Sequence, residues 1–466
     1  MRDYGTIQGY LETVMEQIRW KRARPVVARE LEQHLTDQRD AFVREGKPRD
    51  EAERLAVEDM GDPVEVGAAL DAIHRPRPQW GLLGLTLVLA LAGAVLRAVF
   101  CEISGGVNAG HIAVPARALA SLGLGTAALL GMYFLDVSRL VRHARAVYIG
   151  ALAAGLLTLF HFPHVGNCAY YTRYVVLFYP VAYALALYRF RGKGWKGFLL
   201  AVLSGVPLAA VCCLAPSMTG LLILLFSGLA LTLCAAGGDW FGVGRWKGAC
   251  AALAVPAVLL TGLISRGYLN SFRQRLAIAL HPEMDPLNKG YLGGMLQSFW
   301  QDVPPLRQYG SVGAAVHAGA RVRIYTDSAG MPGNTMPHYY SSDFLPASMA
   351  VLWGWLPLLL MLAALAVLLV WLLVKGLRQS CLPGRLVVLA VVVTLAVQTL
   401  LAAALNFGFV LFSAGLPLVV GNLQTVVDLA LIGLALSVFR GASIAREEPE
   451  KPLRQRKRLR IRVEYQ

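Results

Sequence analysis

Arginine, histidine and carboxylate side chains are concentrated in one long polar stretch, residues 266–346, of an otherwise apolar chain. Guanidinium groups are suited to bidentate contacts with phosphate, and a carboxylate can act as a general base on a hydroxyl. Together these groups suit transfer from a pyrophosphate-linked lipid donor. We single out Asp343, because it lies immediately before a new apolar run. The stretch includes Arg266, Arg273, Arg275, His281, Glu283, Asp285, Lys289, Gln297, Arg307, His317, Arg321, Arg323, Asp327, His338 and Asp343.

The composition indicates an integral membrane protein. Of the 466 residues, 56% are hydrophobic and only 16% are charged, and the mean hydropathy is +0.52, whereas soluble domains carry about 25% charged residues. The net charge of +15 matches the basic bias of cytoplasmic loops in membrane proteins, so we expect no nucleic-acid partner. The three histidines of the polar stretch are too scattered in sequence to indicate a zinc site.

The apolar runs predict an all-α, polytopic membrane domain over residues 80–440 with about ten transmembrane helices, each of about 20 residues. Lys and Arg collect in alternate short loops, such as residues 139–145 and 189–196, whereas residues 104–110 have none. By the positive-inside rule both termini are cytoplasmic and residues 266–346 form an external loop. The predicted runs are residues 80–100, 118–134, 146–162, 174–188, 197–214, 221–236, 249–264, 347–374, 386–410 and 416–439.

A few polar side chains fall within the last two runs, and they are candidates for function because polar groups are costly in hydrocarbon. Gln398 and Asn406 lie in the ninth run, and Asn422, Gln424 and Asp428 lie in the tenth. Amides in membrane helices commonly form hydrogen bonds between helices. We expect these amides to join helices, and we expect Asp428 to be protonated or paired with an arginine.

Residues 1–79 are predicted to form a small cytoplasmic bundle of three or four helices. Apolar residues recur at helical spacing through residues 7–42. Asp50 is the predicted N-cap of a further helix, with Glu53 as its capping-box partner. Gly61–Pro63 predicts the end of that helix and the start of the next, because Gly tolerates the left-handed C-cap and Pro suits a first helical turn.

The sequence of this module resembles the permease-prefix domain, which is related to helix-turn-helix-associated α-helical signalling domains. The resemblance rests on residues 18–25 (IRWKRARP), Arg29 with Glu30, residues 60–67 (MGDPVEVG) and residues 74–76 (HRP). In that family the module precedes bacterial membrane domains. The resemblance therefore implies a regulatory or connecting role rather than catalysis.

The C-terminal tail, residues 441–466, is predicted to be cytoplasmic and is strongly basic from Arg454 to Arg462. Each basic residue close to an anionic membrane surface contributes about 1 kcal/mol to binding. The tail is expected to bind anionic lipid or a partner, or to be solvated with a simple positive-inside bias. The sequence leaves these alternatives open.

The membrane domain is similar to the SEDS family, the FtsW, RodA and SpoVE type of bacterial cell-division, cell-shape and sporulation proteins. That family has ten spans and a long external loop between the seventh and eighth, as predicted here. Arg273–Leu276 and His281–Tyr291 resemble the segment that enters the loop. Ser342–Phe344 resembles the Thr-Asp-Phe that ends the family's Leu-Pro-Glu-x-His-Thr-Asp-Phe motif, and the run from Gly415 resembles the closing turn and helix.

The resemblance implies peptidoglycan glycosyltransfer in the bacterial cell membrane. The substrate would be an undecaprenyl-pyrophosphate-linked disaccharide, and the partner a transpeptidase or another protein of the divisome or elongasome. In that scheme Asp343 is the base that accepts a proton from the acceptor sugar hydroxyl, and Arg273 and Arg275 steer the pyrophosphate. A divalent cation would neutralise the leaving pyrophosphate, although no residue identifies its ligands.

Several family motifs are replaced in this chain, so two alternative functions stay open. Residues 337–342 have the sequence PHYYSS where the family has Pro-Glu and His-Thr, and residues 178–182 have FYPVA where it has Gln-Pro-Ser-Glu. Val419–Asn422 replaces the Ser-Tyr-Gly-Gly signature. One alternative is a catalytically inactive membrane scaffold or sensor of the same fold. The other is a transporter of the lipid-linked precursor.

Overall fold

The computed structural model describes residues 6–21, 23–76, 78–103, 113–165, 168–258, 268–286, 289–300, 303–306, 343–379 and 381–441. The structure divides into two compact units, one built on Met1–Gln79 and the other on Trp80–Ser437. Residues 307–342, which directly precede Asp343 in the polar stretch, lie outside the described ranges. The basic tail from residue 442 also lies outside them.

The first unit is a bundle of four helices, as the sequence pattern predicts. Its buried core includes Tyr10, Val14, Val27 and Leu35, all of which are almost completely inaccessible. These side chains come from the first two helices, and Val57 of the third helix joins the same cluster. The helices are α1 (Ile7–Gln17), α2 (Arg24–Arg44), α3 (Arg49–Asp59) and α4 (Pro63–His74).

One predicted cap of this unit is wrong. Helix α3 begins at Arg49 after Pro48, and no side chain of the described residues caps it, so Asp50 lies inside the first turn. The Glu53 carboxylate instead accepts a hydrogen bond from the backbone N–H of Ile7, at 3.0 Å, which connects α3 to the start of α1. The Gly61–Pro63 junction is as predicted: Gly61 has a φ of 81°, and Asp62 caps α4 through the Val64 N–H.

Asp71 of α4 makes the clearest charged contact of the unit. Its carboxylate accepts hydrogen bonds from the Arg19 backbone N–H and from Arg75 Nη2, each at 2.9 Å. Because both donors stabilise the ionised form, Arg75 and then the Arg19 N–H hold the pKa of Asp71 below its usual range. Asp71 therefore ties the end of α1 to α4.

Asp71→Asn is expected to lower the free energy of unfolding of the first unit by about 1–2 kcal/mol at neutral pH, because a charge-assisted contact is lost. A group with a lowered native pKa stabilises the fold above its unfolded pKa, so this contribution disappears as the pH falls below about 4. Pulse proteolysis of the full chain in urea, followed through an N-terminal tag, measures both effects. The exposed Asp37→Asn is the control, and equal loss in both variants would contradict the assignment.

The described residues of the second unit are helical apart from loops and one short antiparallel strand pair, β1 (His164–Val165) with β2 (Cys168–Ala169). Single 3-10 turns occur at Val176–Phe178 and Pro282–Met284. The helices are α5 (Trp80–Ile103), α6 (Ala113–Phe134), α7 (Val137–Arg142), α8 (Ala144–His161), α9 (Thr172–Val175), α10 (Tyr179–Arg189), α11 (Gly194–Leu203), α12 (Gly205–Leu214), α13 (Met218–Gly237), α14 (Arg245–Ala252), α15 (Tyr268–Leu280), α16 (Tyr291–Trp300), α17 (Leu345–Trp353), α18 (Trp355–Leu377), α19 (Leu382–Asn406) and α20 (Leu423–Gly441).

Eight helical segments of the described residues are long and apolar enough to cross a membrane. The protein is a multi-pass membrane protein, as predicted. One predicted run does not form such a segment, because residues 174–188 are divided between α9, a 3-10 turn and α10. The seventh predicted run, residues 249–264, continues beyond residue 258 into residues outside the described ranges. The eight segments are Trp80–Val99, Ala116–Phe134, Ala144–His161, Gly194–Leu214, Met218–Gly237, Trp355–Leu377, Leu382–Asn406 and Leu423–Gly441.

The eighth predicted run is interrupted at Gly354, where α17 ends and α18 begins. Gly354 has a φ of 91°, and a Cβ there would lie only 2.5 Å from the Pro305 carbonyl oxygen. The chain turns there to donate hydrogen bonds from Trp355 and Leu356 to the carbonyls of Pro304 and Pro305. Because L side chains rarely adopt this conformation, glycine allows a separate short helix, α17, to follow Asp343.

Helix α20 packs directly against α6 at Gly433. A Cβ added to Gly433 would be 2.4 Å from the backbone oxygen of Leu129. One turn further on, the Ser437 hydroxyl donates to the Leu135 carbonyl. Small residues commonly permit such close helix approach in membranes.

Gly433→Ala is expected to lower the free energy of unfolding by about 1–3 kcal/mol, because the new methyl group overpacks against backbone that cannot rotate away. Gly131→Ala on α6 is the matched control, since its Cβ would meet no described atom within 4 Å. Thermal unfolding of the purified protein in detergent compares the two variants. If both have the unfolding temperature of the wild type, the close packing of α20 on α6 is refuted.

Candidate active site

Asp343 lies at the start of α17, held in place by Asn406 at the end of α19. The Asn406 amide donates to the Asp343 carbonyl oxygen at 2.9 Å and accepts from the Ala347 N–H at 3.0 Å. It also donates to the Ala402 carbonyl of its own helix, at 2.8 Å. Asn406 therefore satisfies backbone groups of the first turn of α17 and fixes the position of Asp343. This contact confirms the prediction that Asn406 joins two helices.

The Asp343 side chain is nearly buried, with 12% of its side-chain surface exposed, and both oxygens have partners. Arg173 Nη2 lies 3.4 Å from Oδ1, and the Ser413 hydroxyl donates to Oδ2 at 2.5 Å. Arg173 Nη1 also lies 3.5 Å from the Ser413 hydroxyl. A substrate hydroxyl must therefore displace one of these partners to reach the carboxylate.

Arg173 belongs to α9, the short helix that follows the strand pair. Its guanidinium carbon lies 5.3 Å from the centre of the Tyr170 ring and 5.0 Å from that of Tyr174. The Tyr174 hydroxyl donates to the Tyr170 hydroxyl at 3.1 Å, which holds the two rings together. Cation–π contacts of this kind contribute about 0.5–2 kcal/mol. The two tyrosines thus support Arg173 beside the carboxylate.

Ser413 is presented by the loop between α19 and α20. The Thr219 hydroxyl donates to the Ser413 carbonyl at 2.9 Å, and Gln424 Nε2 donates to the Gly415 carbonyl at 2.8 Å. A Cβ on Gly415 would lie 2.5 Å from Val420 Cγ2 and 3.4 Å from Asp343 Oδ1. It would also lie 2.9 Å from Gln424 Oε1, so the absence of a side chain at residue 415 lets the loop pack closely against Val420 and Gln424.

Asp428 is completely buried on α20 and supports the same loop. Its Oδ2 accepts a hydrogen bond from the Leu418 N–H at 3.1 Å, and Leu418 has the unusual φ of 65°. The Thr425 hydroxyl contacts both Leu418 and Gly421. No arginine pairs with Asp428 within the described ranges. Asp428 therefore holds the turn at Leu418. The left-handed backbone conformation of Leu418 costs about 1–3 kcal/mol.

Arg97, near the end of α5, is a second guanidinium of this region. Its Nη1 donates to the Val420 carbonyl at 2.7 Å. The Arg97 side chain is packed against Gly421, whose added Cβ would be 3.1 Å from Arg97 Cδ. The loop before α20 is therefore positioned by Arg97 as well as by Asp428 and Gln424.

Arg273 and Arg275 lie on α15. Both side chains are exposed, and the ionic partner of Asp343 within the described residues is Arg173. His281 pairs with Glu283 at 3.0 Å. Of the site residues suggested by the sequence, Asp343 has hydrogen-bonding partners on both carboxylate oxygens. The two arginines lie on an exposed helix face.

The described residues do not fit a divalent cation by themselves. No group of three or more His, Cys, Asp and Glu side chains comes together in the described part of the chain. The Asp343 carboxylate is in contact with Arg173 and Ser413, and cationic guanidinium groups are not metal ligands.

Sequence reasoning missed Arg97, Arg173 and Ser413, although two of them carry a detectable signal. Arg97 interrupts an apolar run, and intramembrane charge usually indicates function. Arg173 lies just before the predicted fourth run, at an end assigned to the outside, where the positive-inside rule places few basic residues. Ser413 has no such signal, because a serine in an external loop is common.

The membrane unit is similar to solved structures of cell-wall proteins. The structure described as the coordination of polymerization and crosslinking by a peptidoglycan synthase complex matches with a TM-score of 0.56 and 21% identity, over 78% of this chain and 98% of that chain. Two structures of the rod shape determining protein RodA of Thermus thermophilus, one of them a mutant, match with TM-scores of 0.51 and 0.50 and identities of 17% and 18%. Each match covers 78% of this chain. It covers 98% of the mutant RodA chain and 97% of the other RodA chain.

No protein-family model and no curated protein sequence matches the chain. The identity to the solved structures is too low to transfer an activity, which depends on the site rather than on the scaffold. The architecture is nevertheless shared along nearly the whole length of those structures. The chain therefore has a predominantly helical, multi-pass membrane fold of the RodA type, preceded by a separate four-helix unit.

Proposed function

We propose that this protein is a SEDS-type peptidoglycan glycosyltransferase that polymerises an undecaprenyl-pyrophosphate-linked disaccharide. The proposal rests on the side chains that contact the Asp343 carboxylate. A nearly buried carboxylate with an arginine at 3.4 Å and a serine hydroxyl at 2.5 Å occurs in a RodA-type fold. A carboxylate positioned in this way can act as a general base, and neighbouring guanidinium groups suit an anionic leaving group.

In the proposed reaction Asp343 accepts the proton of the acceptor sugar hydroxyl. The acceptor oxygen then forms a bond to the anomeric carbon of the donor sugar, while the bond from that carbon to the diphosphate oxygen breaks. The diphosphate leaves on the prenyl lipid with the electron pair of the broken bond. Asn406 keeps Asp343 in place through its carbonyl, and Ser413 orients the carboxylate.

The exposed arginines of α15 have a different part in this proposal. Arg273 and Arg275 lie on an external loop if both termini are cytoplasmic, as the positive-inside rule predicts. Exposed positive charges raise the rate at which an anionic ligand arrives rather than hold it afterwards. We assign them the steering of the pyrophosphate-linked donor toward the site.

Two partners accompany the proposal. One solved structure of the same fold is a synthase complex that couples polymerization with crosslinking, so we propose a transpeptidase partner in cell division or cell-shape maintenance. The basic tail from Arg454 to Arg462 would bind anionic lipid on the cytoplasmic side. The four-helix unit would connect the membrane domain to regulation.

The test is incubation of the purified full-length protein with lipid-linked disaccharide, with and without a transpeptidase partner. Glycan chains made by the wild type, and absent with Asp343→Asn, support the proposal. If no chains form under any of these conditions, the protein is not a polymerase. Movement of the precursor across liposomes without polymerisation would instead indicate the transporter.

A further inference from the structure

Two loops of the membrane unit contain the same short sequence at the start of the helix that follows. Helix α11 begins with Gly-Trp-Lys-Gly and α14 with Arg-Trp-Lys-Gly. Residues 189–197 and 238–248, which include the two copies, are here called the Trp-Lys loops. The shared residues are Trp195, Lys196 and Gly197 in the first loop, and Trp246, Lys247 and Gly248 in the second.

The glycine of each copy packs against the preceding part of the chain. A Cβ on Gly197 would collide with the Phe190 carbonyl oxygen, and a Cβ on Gly248 would lie 3.2 Å from Ala236 Cβ. Both glycines are buried, whereas both lysines are exposed. The two tryptophans are 51% and 86% exposed, in chain order. Each first helical turn therefore presents a tryptophan and a lysine on the outside of the protein.

The two Trp-Lys loops are joined to each other. The Gly192 N–H donates a hydrogen bond to the Trp240 carbonyl at 2.8 Å. Phe198, one residue beyond the first loop, contacts Phe241 of the second edge to face, with ring centres 5.5 Å apart. The repeated tryptophan and lysine side chains therefore belong to one continuous surface.

This surface is strongly basic and lies where membrane spans begin and end. The span Gly194–Leu214 begins in the first loop, and the span Met218–Gly237 ends just before the second. The one carboxylate of the two loops, Asp239, accepts a hydrogen bond from the Gly244 N–H at 2.9 Å. Neither lysine of the repeat has an ionic partner among the described residues. The basic residues are Arg189, Arg191, Lys193, Lys196, Arg245 and Lys247.

The Trp-Lys loops lie at the opposite end of α13 from the candidate active site. The Thr219 hydroxyl, in the first turn of α13, donates to the Ser413 carbonyl, whereas Trp240 follows the last turn. A helix of 20 residues is about 30 Å long, which is the thickness of the hydrocarbon core of a bilayer. The loops are therefore at the other membrane face, which the positive-inside rule predicts to be cytoplasmic.

We propose that the Trp-Lys loops bind the headgroups of anionic phospholipids in the surrounding bilayer. Tryptophan is enriched at membrane–water interfaces, where its ring lies at the level of the headgroups. Basic side chains at the cytoplasmic face attract anionic lipid. An acidic protein segment would match the charge alone, whereas a tryptophan beside a lysine at the end of a span matches a layer of charged headgroups.

The experiment measures quenching of Trp246 by brominated phospholipids added to the full-length protein in detergent. The Trp246 signal is the difference between the protein with and without Trp246→Phe, so lipid bound elsewhere does not contribute. Brominated phosphatidylglycerol is expected to quench at a lower concentration than brominated phosphatidylcholine. Added salt should reduce this preference, because exposed charges are screened.

Lys196→Gln combined with Lys247→Gln is expected to raise the quenching midpoint for phosphatidylglycerol about thirtyfold and to leave that for phosphatidylcholine unchanged. If thermal unfolding shows that the double variant is not folded, Lys247→Gln alone should raise the midpoint about fivefold. The matched control is Arg142→Gln with Arg145→Gln. It removes the same charge from an exposed loop that the positive-inside rule assigns to the same face and that has no tryptophan.

Three results would overturn the assignment. They are equal midpoints for the two lipids, an unchanged midpoint in the lysine variants, and an equal shift in the arginine control. Absence of quenching by either lipid would also exclude a lipid at this surface and would favour an acidic protein segment as its partner.

Discussion

Asp343→Asn is expected to reduce the rate of glycan-chain formation by at least about a hundredfold, the usual contribution of a general base. Asparagine has nearly the same shape as aspartate and can still contact Ser413 and Arg173. It cannot accept a proton from the acceptor hydroxyl. The effect should therefore fall on turnover, measured as polymer formed from lipid-linked disaccharide, while the fold is retained.

Glu283→Gln is the matched control for this carboxylate. Glu283 is described in the same polar stretch, is exposed, and pairs with His281 rather than with the site. It should leave the rate of polymerisation unchanged. Full complementation of a gene deletion by Asp343→Ala, with loss of function on removal of residues 1–79, would contradict catalysis and favour the scaffold or sensor.

Asn406→Leu is expected to have the second largest effect, on stability and activity together. The substitution leaves the Asp343 carbonyl and the Ala347 N–H without the partners seen in the structure. Each buried group left unsatisfied costs about 1–3 kcal/mol. We expect the free energy of unfolding to fall by about 2–4 kcal/mol, and kcat to fall by about tenfold or more because α17 and its carboxylate shift.

Thr399→Val on the same helix provides the comparison for Asn406. The Thr399 hydroxyl donates only to the Leu395 carbonyl one turn earlier, so its loss should change stability by less than about 1 kcal/mol. Chemical unfolding and polymerisation kinetics are measured on the same preparations. A fall in kcat with unchanged KM indicates displacement of the base. If Asn406→Leu behaves like Thr399→Val, Asn406 does not position Asp343.

Local sequence patterns predicted most of the helices because helix formation depends on neighbouring residues. The Gly61–Pro63 junction was predictable, since glycine and proline have strong backbone preferences. The Asp50 cap was not predictable, because the Glu53 carboxylate instead accepts a hydrogen bond from the Ile7 N–H, 46 residues earlier. The interruption at Gly354 was also missed, because the carbonyls of Pro304 and Pro305 that it approaches are distant in sequence.

The sequence by itself determined that this chain lies in a membrane, that a separate helical unit precedes its spans, and that Asp343 is the carboxylate to examine. Only the tertiary structure decided which residues surround it. Arg173 is 170 positions away from Asp343, Ser413 is 70 positions away, and Arg97 meets Val420 across 323 positions. Hydropathy and helical periodicity report only local environment. The partners of a buried charge depend on which helices pack together, and that packing alone brings these groups to Asp343.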